Sequence, residues 1–448
     1  MTGAQTPPTW RGALHNQAAA AARWGIAHGL PRSVLKLAAL SGDPIARIVL
    51  EPGRVADITV CDELHRRGPV VRTPALRAVP GHAAVNAVLR SNRFGVGGVH
   101  RELPLPLRWL LERVTQDRAR GPGDPPSMLA VDPPQHSRYR GLVSRAFTPR
   151  RVAALEDQVA ETAARLLDSL EADAPSAGFD LVAWYASRLP MAVIGGLLGV
   201  RAADHQNLLR WSDAAVQLVE PGLTWRQHRE AEGAMTTLTD WFTEHVRLLR
   251  TDPGDDLLSQ LAGLGVEDAL DDVELRAMGL LVLVAGLETT VSLIGNAVAL
   301  FDRHPEQLET VRADVDLWTN AVDEVLRYDS PLQRTRRVAI EETIVEGVHV
   351  PRGQALIALL AVANRDPEVF AEPHTFDVTR HNAGEHLTFS SGIHYCLGAG
   401  LARLEARVAL RMLYERFPRL RVAGIPHRRQ TRVLRAYATL PVAVEASP

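Results

Sequence analysis

The chain has two cysteines, Cys61 and Cys396, and their surroundings differ. Cys396 lies in Phe389-Ser390-Ser391-Gly392-Ile393-His394-Tyr395-Cys396-Leu397-Gly398, directly ahead of a long helix-forming stretch. A glycine-bearing loop thus delivers a thiol to the start of a helix. Free N–H groups and the positive dipole end gather there, and both favour a thiolate. Gly398 lets backbone N–H groups approach the sulfur with no side chain in the way. A thiolate so presented can attack an electrophile or bind a soft metal. Cys61 has no such context and reads as an ordinary core or surface thiol.

Three further groups carry chemistry by type and spacing. Ala285-Gly286-Leu287-Glu288-Thr289-Thr290 interrupts a long apolar stretch. Leu281, Ala285 and Thr289 recur every four residues and so share a helix face. The small residues at the last two positions leave a gap where a core face would be bulky. Glu288 is costly to bury there unless it is paired or used. Glu324 and Arg327 are three apart, and His136 and Arg140 four apart, so each pair projects from one helix face. Cations at fixed spacing suit a bound group with carboxylates. Arg337 lies on a later strand-like piece.

The elements that must carry these residues are mostly helices. Helical patterns are expected over 255–264, 270–302, 317–328 and 397–416, with others opened by His82 and by Pro149. Asp271 and Asp272 suit the positive end of the longest one. Short strands are expected over 70–73 and 76–79 about a turn at Pro74, then over 337–340, 343–345 and 355–359, with 433–444 extended. Residues 94–126 read as a long loop holding one short helix, the kind of segment that often serves as a lid. The fold class is therefore mainly α with minor β, in one large unit. Residues 1–50 read as a partly helical extension packed on a body of 51–448.

Composition narrows the class. Of 448 residues, 46% are hydrophobic and 23% charged, and the formal net charge is −2, so nothing points to nucleic acid. Two thiols make no disulfide framework, which suits a reducing compartment. The apolar run at 189–200 is far shorter than a membrane span, and the expected location is cytoplasmic.

The cysteine loop closely resembles the haem-binding signature of the cytochromes P450, Phe-x-x-Gly-x-His-x-Cys-x-Gly. Ser390 departs from the family's frequent glycine. The other motifs appear in the family's order. The resemblance implies the cytochrome P450 fold, with haem b (iron protoporphyrin IX) between the long central helix and the cysteine-loop helix. It implies Cys396 as the metal ligand, Phe389 shielding the sulfur, and Gly398 and Ala285 beside the haem. His136, Arg140, Arg337 and His394 would hold the propionates. Thr289 would orient dioxygen and a water, and Glu288 would relay protons. Glu324, Arg327 and Arg380 would form a structural ion network.

The implied activity is a haem-thiolate monooxygenase. It inserts one oxygen atom of O2 into a hydrophobic small molecule by hydroxylation or epoxidation. No flavin or nicotinamide fingerprint is present, so external electron donors are expected, a ferredoxin and its reductase. Arg138, Arg145 and Arg403 are candidates for docking them. Leu281, Val284, Leu332 and Gln333 are the expected pocket residues, with loops near 96–105 and 217–224 closing over them. Two alternatives stay open: a peroxide-driven haem enzyme, and a haem-binding protein without catalysis. The Glu288–Thr289 pair argues against both. A monomer is the default state.

Overall fold

A computed structural model describes residues 10–51, 58–74, 76–97, 105–115, 121–173, 178–264 and 269–444. Four helices open the chain: α1 (Trp10–Trp24), α2 (Leu30–Leu40), α3 (Pro44–Leu50) and α4 (Ile58–Arg66). A π-helical turn, Gly25–Gly29, joins the first two. The expected extension is thus helical over its described part. Strands β1 (Val71–Arg72) and β2 (Arg77–Val79) flank Pro74 as expected, and α5 (His82–Arg90) follows. The long loop then contains β3 (Phe94–Gly95) and α6 (Leu105–Thr115).

The middle of the chain is helical: α7 (Gln135–Val143), α8 (Pro149–Ala153), α9 (Glu156–Asp173), α10 (Arg188–Leu197), α11 (His205–Ala215), α12 (Trp225–Thr251) and α13 (Leu257–Ala262), with β4 (Phe179–Asp180) between α9 and α10. The helix opened by Pro149 ends within two turns, and a separate helix takes over at Glu156. Sequence reading left α11 and α12 unassigned. The period in α12 is nonetheless clear: Ala231, Met235, Leu238, Phe242, Val246 and Leu249 are buried at helical spacing. Thr224 and Gln227 form its capping box.

Helix α14 (Asp272–Arg303) runs through the core, followed by α15 (Pro305–Ala313) and α16 (Leu317–Tyr328). Asp271 caps α14 by accepting from the Glu274 N–H at 2.7 Å, and Glu274 returns the bond at 3.1 Å. By length and composition α14 could cross a membrane, but most of it is buried in the fold, so its apolar character belongs to a core helix. Strands β5 (Thr335–Ala339), β6 (Thr343–Val345), β7 (Val348–Val350) and β8 (Ala355–Ala358) come next, then α17 (Leu360–Ala363) and α18 (Ala399–Arg416). The chain closes with β9 (Leu420–Val422), β10 (His427–Arg428), β11 (Tyr437–Thr439) and β12 (Pro441–Val444).

The sheets are small, as expected. One has the order β1-β2-β8-β5-β3, with β2 parallel to β8 and the other pairs antiparallel. The largest apolar core gathers α9, α10, α12, α14, α16 and α18, and α14 packs directly on α18. The helix carrying Glu288 and Thr289 is therefore braced against the helix that follows Cys396.

Candidate active site

The cysteine loop is folded by its own backbone. The Cys396 N–H donates to the Phe389 carbonyl at 2.8 Å, which closes the loop from Phe389 to Cys396. Gly392 has φ +69°, and a Cβ there would lie 2.5 Å from the Leu89 carbonyl oxygen, so only glycine fits. Ser390 also sits in the left-handed region, at φ +64°. The departure from the family's frequent glycine is thus accommodated at a conformational cost.

Helix-start effects do not win at the sulfur. The Gly398 N–H bonds to Cys396, and Arg140 and Arg403 add favourable fields, as the sequence suggested. Burial is the larger effect, however, and it pushes the thiol up from its ordinary value. The expected lowering by the protein alone is therefore corrected. A cation bound to the sulfur would favour the thiolate against this burial.

Beneath the loop lies a buried polar scaffold. Arg327 grips Glu324 with two bonds, of 2.6 and 2.8 Å, and neither side chain is exposed. Arg380 approaches the same carboxylate at 3.3 Å, as the third member expected from the sequence. Arg327 also donates to the Asn364, Pro373 and Thr375 carbonyls. Asn364 in turn accepts from the Leu387 N–H and donates to the Thr388 hydroxyl, one residue before Phe389. A second chain starts at Asp323. It binds His386 at 3.3 Å and Arg403 at 2.7 Å, and Arg403 lies over the Phe389 ring. Although burial opposes it, these two partners hold the Asp323 carboxyl below the usual range.

Basic groups converge at a second point. The rings of His136 on α7 and His394 lie 4.2 Å apart, and each Nε2 is buried without a hydrogen-bond partner. Burial lowers both histidines, and with Arg337, His136 and Arg140 nearby His394 falls to about 3. Arg337 is buried on β5 and donates to Thr335 Oγ1 and the Arg336 carbonyl, with no carboxylate partner among the described residues. Burial brings it down to about 10, against the field of Asp132. Arg140 donates to the Tyr395 carbonyl. Strand alternation separates Arg337 from its neighbours: Arg336 reaches the Gly97 carbonyl and Arg334 the Val49 carbonyl. Buried cations without counter-charges are unstable unless an anion joins them. A group with two carboxylates, attached to a metal that a thiolate can bind, fits both features, and haem meets this test.

The face of α14 behaves differently. Leu281 and Val284 are buried, yet Ala285 is exposed and Thr289 half-buried in the middle of a core helix. The gap expected from the small residues is there. Thr289 donates its hydroxyl to the Ala285 carbonyl at 2.7 Å, which leaves the oxygen able to accept. Gly286 does not break the helix. A Cβ there would meet Ile194 at 2.6 Å, so the glycine allows α10 to approach closely. Glu288 is buried, with Oε1 3.3 Å from Arg429 Nε but in no hydrogen bond. Burial pushes its carboxyl up to about 7, with Arg429 opposing and Asp213 and Glu220 assisting.

Val284 packs with Val216 and Leu434, joined by Leu332 and Val219. The expected pocket residues Val284 and Leu332 are thus brought together. Gln333 is buried beside them, and its amide nitrogen donates to the Ser330 carbonyl. Sequence reading missed Val216, Leu434, Arg429 and Asp213. It also missed Glu220, whose carboxylate takes the N–H groups of Arg432, Val433 and Leu434. Those contacts join the 217–224 segment to the end of the chain, more than two hundred residues away, and no local pattern announces them. The other expected closing loop falls largely on residues 98–104, outside the described residues.

Of the candidate docking arginines, Arg403 is committed inward to Asp323 and Phe389. Arg138 pairs with Glu274, and Arg145 is exposed. Arg403 is therefore corrected to a support of the cysteine loop.

Comparison with known proteins bears on the same residues. The family model for cytochrome P450 matches residues 112–424. A Mycobacterium tuberculosis protein described as a cytochrome P450 140 is 44% identical over 94% of this chain and 96% of its own length. That coverage reaches into the first fifty residues. The 6-deoxyerythronolide B hydroxylase of Saccharopolyspora erythraea is 42% identical over 66% of this chain and 71% of its own length. Among solved structures, Mycobacterium smegmatis CYP164A2 with econazole bound superposes with a TM-score of 0.78 at 36% identity, covering 88% of this chain and 98% of that one. With the Cys396 loop, the Glu324–Arg327–Arg380 network and these likenesses together, the chain belongs to the cytochrome P450 family of monooxygenases.

Proposed function

We propose that Cys396 ligates haem b and that the chain inserts one oxygen atom of O2 into a hydrophobic small molecule, by hydroxylation or epoxidation. The observation that carries this reading is a basic pocket in which Arg337 and the unpaired Nε2 atoms of His136 and His394 have no carboxylate partner among the described residues, with His394 two residues before a half-buried thiol at a helix start. Haem, when bound, supplies the activation of dioxygen. His136, Arg140, Arg337 and His394 hold its propionates. Phe389 shields the sulfur, Gly398 donates its N–H to it, and Ala285 leaves room on the distal side.

The protein's own share is protons and exclusion of water. Glu288, raised to about 7, can hold a proton and release it near neutral pH. Thr289 keeps its oxygen open as an acceptor, which positions a water for that proton. The apolar lining of Leu281, Val284, Leu332, Val216 and Leu434 selects a lipophilic molecule, with Gln333 fixed beside it. The Saccharopolyspora erythraea relative, a 6-deoxyerythronolide B hydroxylase by name, is compatible with a hydrophobic secondary metabolite or lipid as substrate class. Electrons come from a ferredoxin and its reductase in the cytoplasm, with Arg145 and Arg138 on the docking side. Residues 1–50 form an extension of the 51–448 catalytic domain.

The test is reconstitution with ferredoxin, reductase and isotopically labelled dioxygen over a panel of lipophilic substrates. Product carrying one labelled oxygen is expected. Product formed only with added peroxide, or reductant consumed without any organic product across the panel, contradicts the reading.

A further inference from the structure

Helix α2 is built with two faces. Leu35 packs with Ile45, Ile48, Val49, Cys61 and Leu64 in a buried cluster, which fixes the helix to the body. Leu30, Val34, Leu37 and Leu40 recur at spacings of four, three and three, so they form a second apolar stripe. That stripe is open: Leu37 is 68% exposed and Leu40 83% exposed. Scattered exposed apolar residues need no explanation, but three leucines and a valine in register on one helix do.

The exposed cation beside the stripe is Lys36: Arg23 is paired with Glu232, Arg32 donates to the Gly222 carbonyl, and no acidic residue precedes Asp43 in the sequence. Lys36 is the chain's only lysine, and it falls on the edge of the stripe, where a long stem can lie along apolar surface with its ammonium in the headgroups. α6, tied to α1 by the Arg23–Val114 bond, exposes Leu105 and Trp109, with Arg113 over the Trp109 ring. The stripe itself carries neither aromatic nor arginine anchors, which protein interfaces favour. Aliphatic side chains edged by a lysine are instead consistent with a helix lying in a bilayer interface.

We propose that the Leu30–Leu40 face of α2 docks the protein reversibly on an anionic lipid surface. The helix is also tied to the 217–224 segment: Arg32 donates to the Gly222 carbonyl, and Trp24 to the Leu223 carbonyl, both at 2.9 Å. Docking through α2 would bring that segment close to the lipid. A lipophilic substrate could then pass from bilayer to pocket, a consequence that rests on the function proposed above, whereas the docking does not.

The experiment is flotation of the full-length, haem-loaded protein with vesicles of phosphatidylcholine and phosphatidylglycerol in equal amounts, against phosphatidylcholine alone. Binding to the anionic vesicles that falls with added salt is expected. Leu37→Ser with Leu40→Ser should reduce binding about tenfold or more. Lys36→Glu should reduce it about fivefold or more. Both variants should keep the wild-type carbon-monoxide spectrum, so a lost haem signal and a lost lipid contact are read separately. Wild-type protein that stays with the unbound fraction overturns the proposal, as does binding unchanged in the double variant. A solution dimer that the double variant splits, with no vesicle binding, overturns it in favour of a second copy.

Discussion

The regions carrying Cys396 and Thr289 are built on opposite plans. The scaffold beneath the Cys396 loop is tied down: Glu324, Arg327 and Arg380 form one buried network, and Asp323, His386 and Arg403 another, although His136 and His394 beside it keep unpaired Nε2 atoms. Around Thr289 the side-chain contacts between helices are mostly apolar, and the ion pair at Glu288 is incomplete. Glu288 and Arg429 stand 3.3 Å apart without a hydrogen bond, and Val216, Val219 and Val284 meet through aliphatic contacts alone. Under the proposed function, Cys396 as a metal ligand must stay in one place, which rewards an over-determined scaffold. Under the same function, Glu288 as a proton donor and the apolar cluster as a substrate pocket must change state, which rewards contacts that can be exchanged.

The largest effect should follow from breaking the rigid side. Arg327→Ala leaves Glu324 buried without its bidentate partner and should cost about 3–5 kcal/mol, most of a typical domain's margin. Haem-poor or insoluble protein is the expected yield, and normal haem content with normal melting would erase the contrast. Next comes the cation pocket. Arg337→Leu removes a charged donor and should weaken haem retention about ten- to a hundredfold, measured by transfer of haem to an excess acceptor protein. Transfer at the wild-type rate would take Arg337 out of the site.

The distal side should respond in function and not in folding. Burial raises the Glu288 carboxyl, so the folded state favours its protonated form. Its contribution to stability is complete below the ordinary carboxylate range and is lost as pH rises through about 7. Product formed per electron should follow the protonated fraction, falling about tenfold from one unit below that value to one unit above. Glu288→Gln should flatten this profile, and a profile of unchanged shape would reject the proton role. The smallest change is Thr289→Ala. It should keep haem and stability within about 1 kcal/mol, yet divert several-fold more reductant to peroxide. Unchanged coupling would remove Thr289 from proton delivery.

The same contrast decides what could be read from sequence. The rigid side is written in short patterns. Gly392 is needed because Leu89 leaves no room for a Cβ, and Glu324 and Arg327 share a helix face by spacing alone. The ends of α14 and α16 follow from Asp271 and from the Pro331 that soon follows Tyr328. The other side is assembled from afar. Arg429 comes from the last hairpin and Asp213 from α11, while Glu220 captures three N–H groups near residue 433. The thiol's upward shift was equally hidden, because burial is a property of the whole fold.

The most direct test of the central claim is the difference spectrum of the reduced protein with carbon monoxide, taken alongside Cys396→Ser. The account predicts the strongly red-shifted Soret band of a thiolate-ligated haem in the wild type and its loss in the variant. A wild-type band at the histidine-ligated position, no haem in folded protein, or a thiolate band that survives in Cys396→Ser would contradict it.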